Sequence, residues 1–263
     1  MKAIILAAGQ GTRLKKYTEN LPKGMLSFVG KTIIERQIEM FRKCGITDII
    51  VVRGYASEKI QYSDVRYYDN EDYANTNMVE SLMAAKEEFD DDVIVSYSDV
   101  LFDMDMLREM IRVEEDYAVA VDDNWKVYWN KRYGRVDFDT ESLSLSSDNQ
   151  IVELGLENPA LEDIDARYIG LLKFSKKGLE KIQELLRVAY DEYSDGRGWQ
   201  QSGKPIRKAY MTDLLNALIE DGNRVIAVRF TNGWIEFDTN EDYENVCNWV
   251  EDGSICELID ING

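Results

Sequence analysis

The 263-residue chain sets 50 acidic against 31 basic residues, a net charge of −19, which argues against a nucleic-acid ligand because such binding works by neutralising phosphates with Lys and Arg. It has no histidine at all, so Ser-His-Asp catalysis, Cys-His catalysis and His-ligated metals are excluded, leaving carboxylates, Lys, Arg, backbone N–H groups and the hard cations that oxygen ligands can hold. Nothing in it resembles a run of about 18 apolar residues, so no membrane span is expected, and Cys44, Cys247 and Cys256, with no metal-type spacing, fit reduced thiols in the cytoplasm.

Residues 3–8 form an unbroken small or apolar run, too short for a globular helix and typical of a buried parallel strand. It runs into glycines instead of a small-residue cleavage site, so it is not read as a signal peptide. Residues 32–43 follow the helical period, with Gly45 placed to end the helix. Strands are expected at 48–52, 65–68, 93–97 and 117–121, with helices at 77–88 and 104–113 between them. This alternation indicates βαβ units and a parallel three-layer sheet. Residues 122–147 carry aromatics among charges. Strands are expected at 151–154 and 167–174, and a helix at 175–193 capped by Ser175. Residues 194–204 read as a mobile loop, followed by a helix at 210–220, strands at 224–230 and 233–238, and a closing helix at 242–250. No linker or repeat divides residues 1–263, which are expected to form one domain.

The first strand ends in Gly9-Gln10-Gly11-Thr12-Arg13. Glycines let a backbone approach a ligand closely, and successive N–H groups can cradle a polyphosphate. Arg13 adds a planar fork of donors, and Lys23 follows the φ-fixed Pro22. A glycine pair alone also serves a tight turn. A dinucleotide fingerprint would need glycine where Leu14 stands, and a P-loop would close on Gly-Lys-Ser/Thr. The combination Leu6-Ala7-Ala8-Gly9-x-Gly11-Thr12-Arg13 with Pro22-Lys23 resembles the signature of the sugar-phosphate nucleotidyltransferase superfamily.

That resemblance implies a Rossmann-like, GT-A-type three-layer α/β domain with a mostly parallel central sheet. It also implies a loop (Leu6, Ala8, Gly9, Gly11, Thr12, Arg13) that holds a nucleoside triphosphate, with Lys23 and Arg13 as catalytic cations. The one departure is Lys15-Lys16-Tyr17, where the family shows a Pro-Leu-Thr-like turn.

Asp99 stands past the end of an apolar strand, the edge at which open α/β sheets bind ligands. Asp103 is the better helix cap, which leaves Asp99 free. Glu236 and Asp238 alternate on a strand and so share a face. A divalent cation such as Mg²⁺ or Mn²⁺ would suit such oxygen ligands, although spacing alone favours plain surface salt-bridging. In cytidylyltransferases of the superfamily, positions matching Asp99, Glu236 and Asp238 hold the metal. The stretch 75–82, with Asn77 and Ser81, is similar to the nucleotide-contacting segment of phosphocholine-type members. Further stretches resemble small members acting on phosphocholine, phosphonates or phosphoglutamine. The expected substrates are therefore CTP and a small phosphomonoester or phosphonate.

The chemistry lacks for nothing here. A phosphate monoester or phosphonate is already an anionic nucleophile, so positioning and charge neutralisation suffice. The acceptor is expected at an insert spanning roughly 122–147, through Trp125, Trp129 and Arg132, together with Tyr210. Aromatic faces with nearby acids can hold an ammonium. A sugar-1-phosphate nucleotidyltransferase using UTP or dTTP, and a non-catalytic nucleotide-binding domain, remain the alternatives.

Overall fold

The computed structural model describes residues 1–261. Its centre is a seven-stranded sheet. The strands are β1 (Lys2–Ala7), β2 (Ile49–Arg53), β3 (Arg66–Asp69), β4 (Val93–Tyr97), β5 (Tyr117–Asp122), β6 (Arg167–Phe174) and β7 (Val225–Phe230), in spatial order β7-β5-β6-β4-β1-β2-β3. Every neighbouring pair is parallel except the two made by β6, which runs antiparallel between β4 and β5. The sheet is thus mostly parallel, as the apolar runs and intervening helices require. Periodicity does not separate the two directions for β6, because a strand buried on both faces reads the same either way.

Alternate residues of β1 enter two different cores. Ala3, Ile5 and Ala7 face one side, Ile4 and Leu6 the other. On the first side lie α1 (Ile33–Lys43), α3 (Met104–Arg112), α4 (Trp125–Tyr133) and α7 (Asn240–Glu251). On the second lie α2 (Met78–Ala84), α5 (Lys176–Glu192) and α6 (Met211–Glu220). The helix starts follow local chemistry. Thr32 and Glu35 form a reciprocal capping box on α1, Asp103 Oδ1 accepts from the Met106 N–H at 2.9 Å, and Ser175 Oγ accepts from Gly178 at 2.9 Å. With Asp103 spent as the cap of α3, Asp99 is left for other work.

Two regions differ from expectation. Residues 122–147, read only as an aromatic stretch, contain α4 and the strand Glu141–Leu145, which pairs with Ile151–Glu157 as a hairpin. Residues 194–204, read as a mobile loop, include a short antiparallel pair, Gly198–Trp199 with Lys204–Pro205, and bury Trp199. A buried indole anchors what polar composition presents as a free loop. No helix among the described residues is long and apolar enough to cross a membrane.

Candidate active site

Ligands of open α/β sheets collect at the carboxyl ends of the parallel strands, where the chain leaves β1 and β4. After β1, Gly9 has no atom close to where a Cβ would stand. Gly11 adopts φ 65°, in the left-handed region, and a Cβ placed on it would lie only 3.1 Å from Lys23 Cβ, so the loop packs closely on the stem of Lys23. Lys23 is fixed from behind as well. Pro22 enters at φ −60°, and a side chain on Gly24 would lie 2.7 Å from Ile34 Cδ1 and 2.8 Å from Ser98 Cβ. The lysine therefore stands on a backbone that has no slack.

Asp99 follows β4. The short strand Val100–Phe102 after it pairs antiparallel with Trp234–Glu236, and the Phe237 N–H donates to the Asp99 carbonyl at 2.9 Å. This ladder brings Asp238 to Asp99 across a long stretch of sequence. Lys23 Nζ lies between them, 2.5 Å from Asp99 Oδ2 and 2.6 Å from Asp238 Oδ1. Arg13 pairs with the other oxygen of Asp238 and reaches Asp139 at 3.7 Å. Burial pulls the Lys23 ammonium down, but the facing Asp99 and Asp238 carboxylates more than reverse this and leave its pKa above the ordinary value. Burial pushes Asp238 up, yet Lys23, Arg13 and Arg132 together hold it below the usual carboxylate range.

Glu236 is handled differently. Its Oε1 pairs with Arg132, and its pKa is raised because burial, reinforced by Asp238 and Asp99, outweighs the attraction of Arg132 and Arg167. The expected set of Asp99, Glu236 and Asp238 is thus split, and no ready-made cluster of acidic ligands exists among the described residues. The fit of a hard cation rests on Asp99 and Asp238. These two carboxylates already share one positive charge, the Lys23 ammonium, and their oxygen-only chemistry is what Mg²⁺ or Mn²⁺ takes.

The expected nucleotide residues divide by role. Gly9, Gly11, Thr12 and Arg13 form the loop surface. Leu6 and Ala8 lie beneath it, their carbonyls accepting from the Ser98 N–H at 3.1 Å and the Tyr55 N–H at 3.0 Å. Asn77 caps α2, with its Oδ1 accepting from Met78 at 2.9 Å. Ser81 is buried and accepts from Asn70 Nδ2 at 3.1 Å, so Asn70, which sequence reasoning passed over, is part of the same support.

The acceptor assignment needs correction. Trp125 and Trp129 are 1% and 0% exposed, packed against each other and, for Trp129, against Trp234, and they offer no face to a ligand. Trp129 Nε1 donates to the Phe138 carbonyl at 2.8 Å. Arg132 is committed to Asp242 through Nε at 2.5 Å and Nη2 at 2.6 Å, in addition to Glu236, so it is not free for an acceptor phosphate. The cause is helical geometry. Trp125, Tyr128, Trp129 and Arg132 sit on one face of α4 and that face turns inward, while Lys126 and Asn130 take the solvent side. Tyr210 is half-buried before α6, with the Lys204 ammonium 4.5 Å above its ring. Two further groups gather at this end of the sheet. Tyr97 and Tyr168 share a 2.7 Å hydroxyl contact, and burial raises both pKa values. Arg167 opens β6 beside them.

A glycine loop, a fixed lysine and two aspartates at the carboxyl edge of such a sheet define a nucleotidyltransferase. The chain belongs to the MobA-like NTP transferase domain family, which it matches over residues 3–187. Within that family it sides with the cytidylyltransferases. It is 36% identical over 255 residues to a CTP:phosphoglutamine cytidylyltransferase of Campylobacter jejuni, covering 93% of this chain and 98% of that protein. A choline-phosphate cytidylyltransferase of Streptococcus pneumoniae is 36% identical over 149 residues, 54% of this chain and 65% of that one. The solved structure of a CTP:phosphocholine cytidylyltransferase from Streptococcus pneumoniae superposes with a TM-score of 0.74 at 26% identity, covering 95% of this chain and 98% of that one.

Proposed function

We propose that this enzyme transfers the cytidylyl group of CTP to a small phosphomonoester or phosphonate that carries an amine or amide, of the phosphoglutamine, phosphocholine or 2-aminoethylphosphonate type. The observation that carries this reading is the coincidence of the Arg13, Lys23, Asp99 and Asp238 network with near end-to-end similarity to a CTP:phosphoglutamine cytidylyltransferase.

The acceptor's anionic oxygen attacks the α-phosphorus of CTP. A new P–O bond forms, the bond from the α-phosphorus to the bridging oxygen breaks, and pyrophosphate leaves with that electron pair. No proton moves, which suits a chain without histidine. Lys23 swings from the carboxylates it bridges to the phosphoryl oxygens, and Arg13, 60% exposed at the loop, meets the departing phosphates. Asp99 and Asp238 would then hold a divalent cation in place of the ammonium. Such an ion, when bound, neutralises charge on the phosphates and orients them.

Pyrophosphate release should be measured with CTP, UTP, ATP, GTP and dTTP, each against phosphoglutamine, phosphocholine, 2-aminoethylphosphonate and glucose 1-phosphate. The reading predicts turnover with CTP and one amine- or amide-bearing acceptor. Comparable turnover with UTP or dTTP, or a preference for the sugar phosphate, would replace it with a sugar-1-phosphate nucleotidyltransferase.

A further inference from the structure

An acceptor phosphate or phosphonate has to enter a site already crowded with Asp99, Glu236 and Asp238, on a protein of net charge −19. It needs a cation whose charge is not already taken. Lys23 is held by Asp99 and Asp238, Arg132 by Glu236 and Asp242, and Arg13 by Asp238 and Asp139. Arg167 is different. Its Nε and Nη1 are buried without a hydrogen-bond partner, and no carboxylate pairs with it among the described residues.

Two further observations say what Arg167 faces. Its guanidinium carbon lies 4.4 Å from the ring centre of Trp129, so the plane is supported on one side by an aromatic that is itself immobile. It also acts on the Glu236 carboxylate, which places it at the acidic end of the site. The topology agrees. Because β6 is antiparallel to β4, its first residue reaches the sheet edge at which β1 and β4 end. Two strand spacings, about 10 Å, separate β6 from β1. That puts Arg167 across Asp99 from the nucleotide loop.

We propose that Arg167 binds the phosphate or phosphonate of the acceptor and aims its oxygen at the α-phosphorus, with Trp129 as the platform that holds the guanidinium flat. This rests on the nucleotidyl-transfer reading but not on the identity of the base or of the acceptor's organic part. A guanidinium has two bidentate edges, and each includes one of the two unpartnered nitrogens, so either edge suits a phosphoryl group. Trp129 then serves the acceptor indirectly, through Arg167, instead of by touching it.

The test compares wild type with Arg167→Gln and Arg167→Lys. With the preferred acceptor at saturating CTP, kcat/KM for the acceptor should fall on the order of 10²-fold in Arg167→Gln, the scale of losing a buried, hydrogen-bonded charge partner. KM for CTP should stay within about threefold, and Arg167→Lys should recover part of the loss because it keeps the charge without the planar fork. A second arm needs no known acceptor. Protein holding the non-transferable α,β-methylene analogue of its preferred triphosphate is titrated with inorganic phosphate by calorimetry. Saturable binding that weakens at least tenfold in Arg167→Gln, with analogue affinity unchanged, supports the assignment. Equal phosphate affinity in all three proteins overturns it, as does parallel loss of triphosphate and acceptor affinity. If the triphosphate panel selects UTP, the analogue changes and the comparison stands, so the two proposals fail separately. Should Arg167→Gln not fold, Arg167→Lys carries both arms: unchanged acceptor KM and phosphate affinity would refute the fork.

Discussion

Two clusters in this protein are built from the same parts, basic side chains between carboxylates, and they do opposite things. In one, Lys23 bridges Asp99 and Asp238 at the end of the sheet, with its neighbours 13–22% exposed. In the other, Arg132 joins Asp242 and Glu236 under the aromatics of α4, with Arg132 and Asp242 1% and 2% exposed. Both carry short ion pairs. What separates them is how the remaining hydrogen-bonding capacity is used. Asp242 also accepts from the Thr239 and Asp238 N–H groups at 2.7 and 3.2 Å, so the second cluster is closed on itself and fixes the turn after Asp238. The first is closed by Lys23, a flexible point charge that a polyphosphate can draw away, and by Arg13, whose side chain is 60% exposed at the loop. One cluster is scaffold, the other is machinery, and Asp238 is the residue through which the scaffold positions the machinery.

The largest expected effect breaks the scaffold. Arg132→Met leaves Asp242 and Glu236 as uncompensated buried charges and should cost about 3–5 kcal/mol of stability, measured by urea unfolding. Trp125→Ala, which opens the aromatic core, should cost a similar ~3–5 kcal/mol, with KM for CTP and for the acceptor both unchanged in the folded fraction. A selective rise in acceptor KM in Trp125→Ala would return that residue to the acceptor site.

Next comes the machinery. Asp238→Asn should lower turnover on the order of 10²-fold, by removing charge that holds Lys23 and that would bind the cation. The loss should deepen at limiting Mg²⁺. Near wild-type turnover at limiting Mg²⁺ would contradict the place given to Asp238.

The smallest effect lies at the opposite end of the sheet and serves as a control. Glu88 accepts from Arg66, and also from Lys2 and Tyr68, and these bonds lower its pKa from 4.5 to about 2. A carboxylate depressed by folding contributes stability that is full above its unfolded pKa and is lost as pH falls through the folded value. Wild type should therefore be more stable than Glu88→Gln at pH 6, with the gap closing between about pH 4.5 and 2. Activity at neutral pH should not follow. A gap that is constant with pH would show that Glu88 contributes by packing alone.

The sequence made the order of elements legible because buried strands and amphipathic helices obey simple periods. Ser175, Gly45 and the choice of Asp103 over Asp99 as a cap followed from local chemistry, and the structure has them so. The Gly9–Arg13 loop and Asp99 were legible for the same reason, each following a strand end, and Lys23 was legible through the φ-fixed Pro22 before it. Three things were not. The direction of β6 depends on how the segment between β5 and β6 returns, which is a tertiary matter. The orientation of α4 was hidden because Trp125, Tyr128 and Trp129 sit among charges, and only the period of three and four, closed by the buried Arg132, shows which face turns in. Arg167 lies in one of the stretches that resemble small cytidylyltransferases but carried no role there, because what distinguishes it is the absence of a partner, and a missing contact leaves no pattern in a sequence.

The most direct test of the division between machinery and scaffold is Lys23→Ala, with kcat, KM for CTP and thermal unfolding measured on one preparation. The account predicts that kcat falls on the order of 10²-fold or more, since a preorganised charge donor is lost from the transition state. KM should change little and unfolding should stay close to wild type. A raised KM with unchanged kcat would make Lys23 a uniform binder of the nucleotide. Unfolding as severe as that of Arg132→Met would show that the two clusters are one scaffold, and the account would fail.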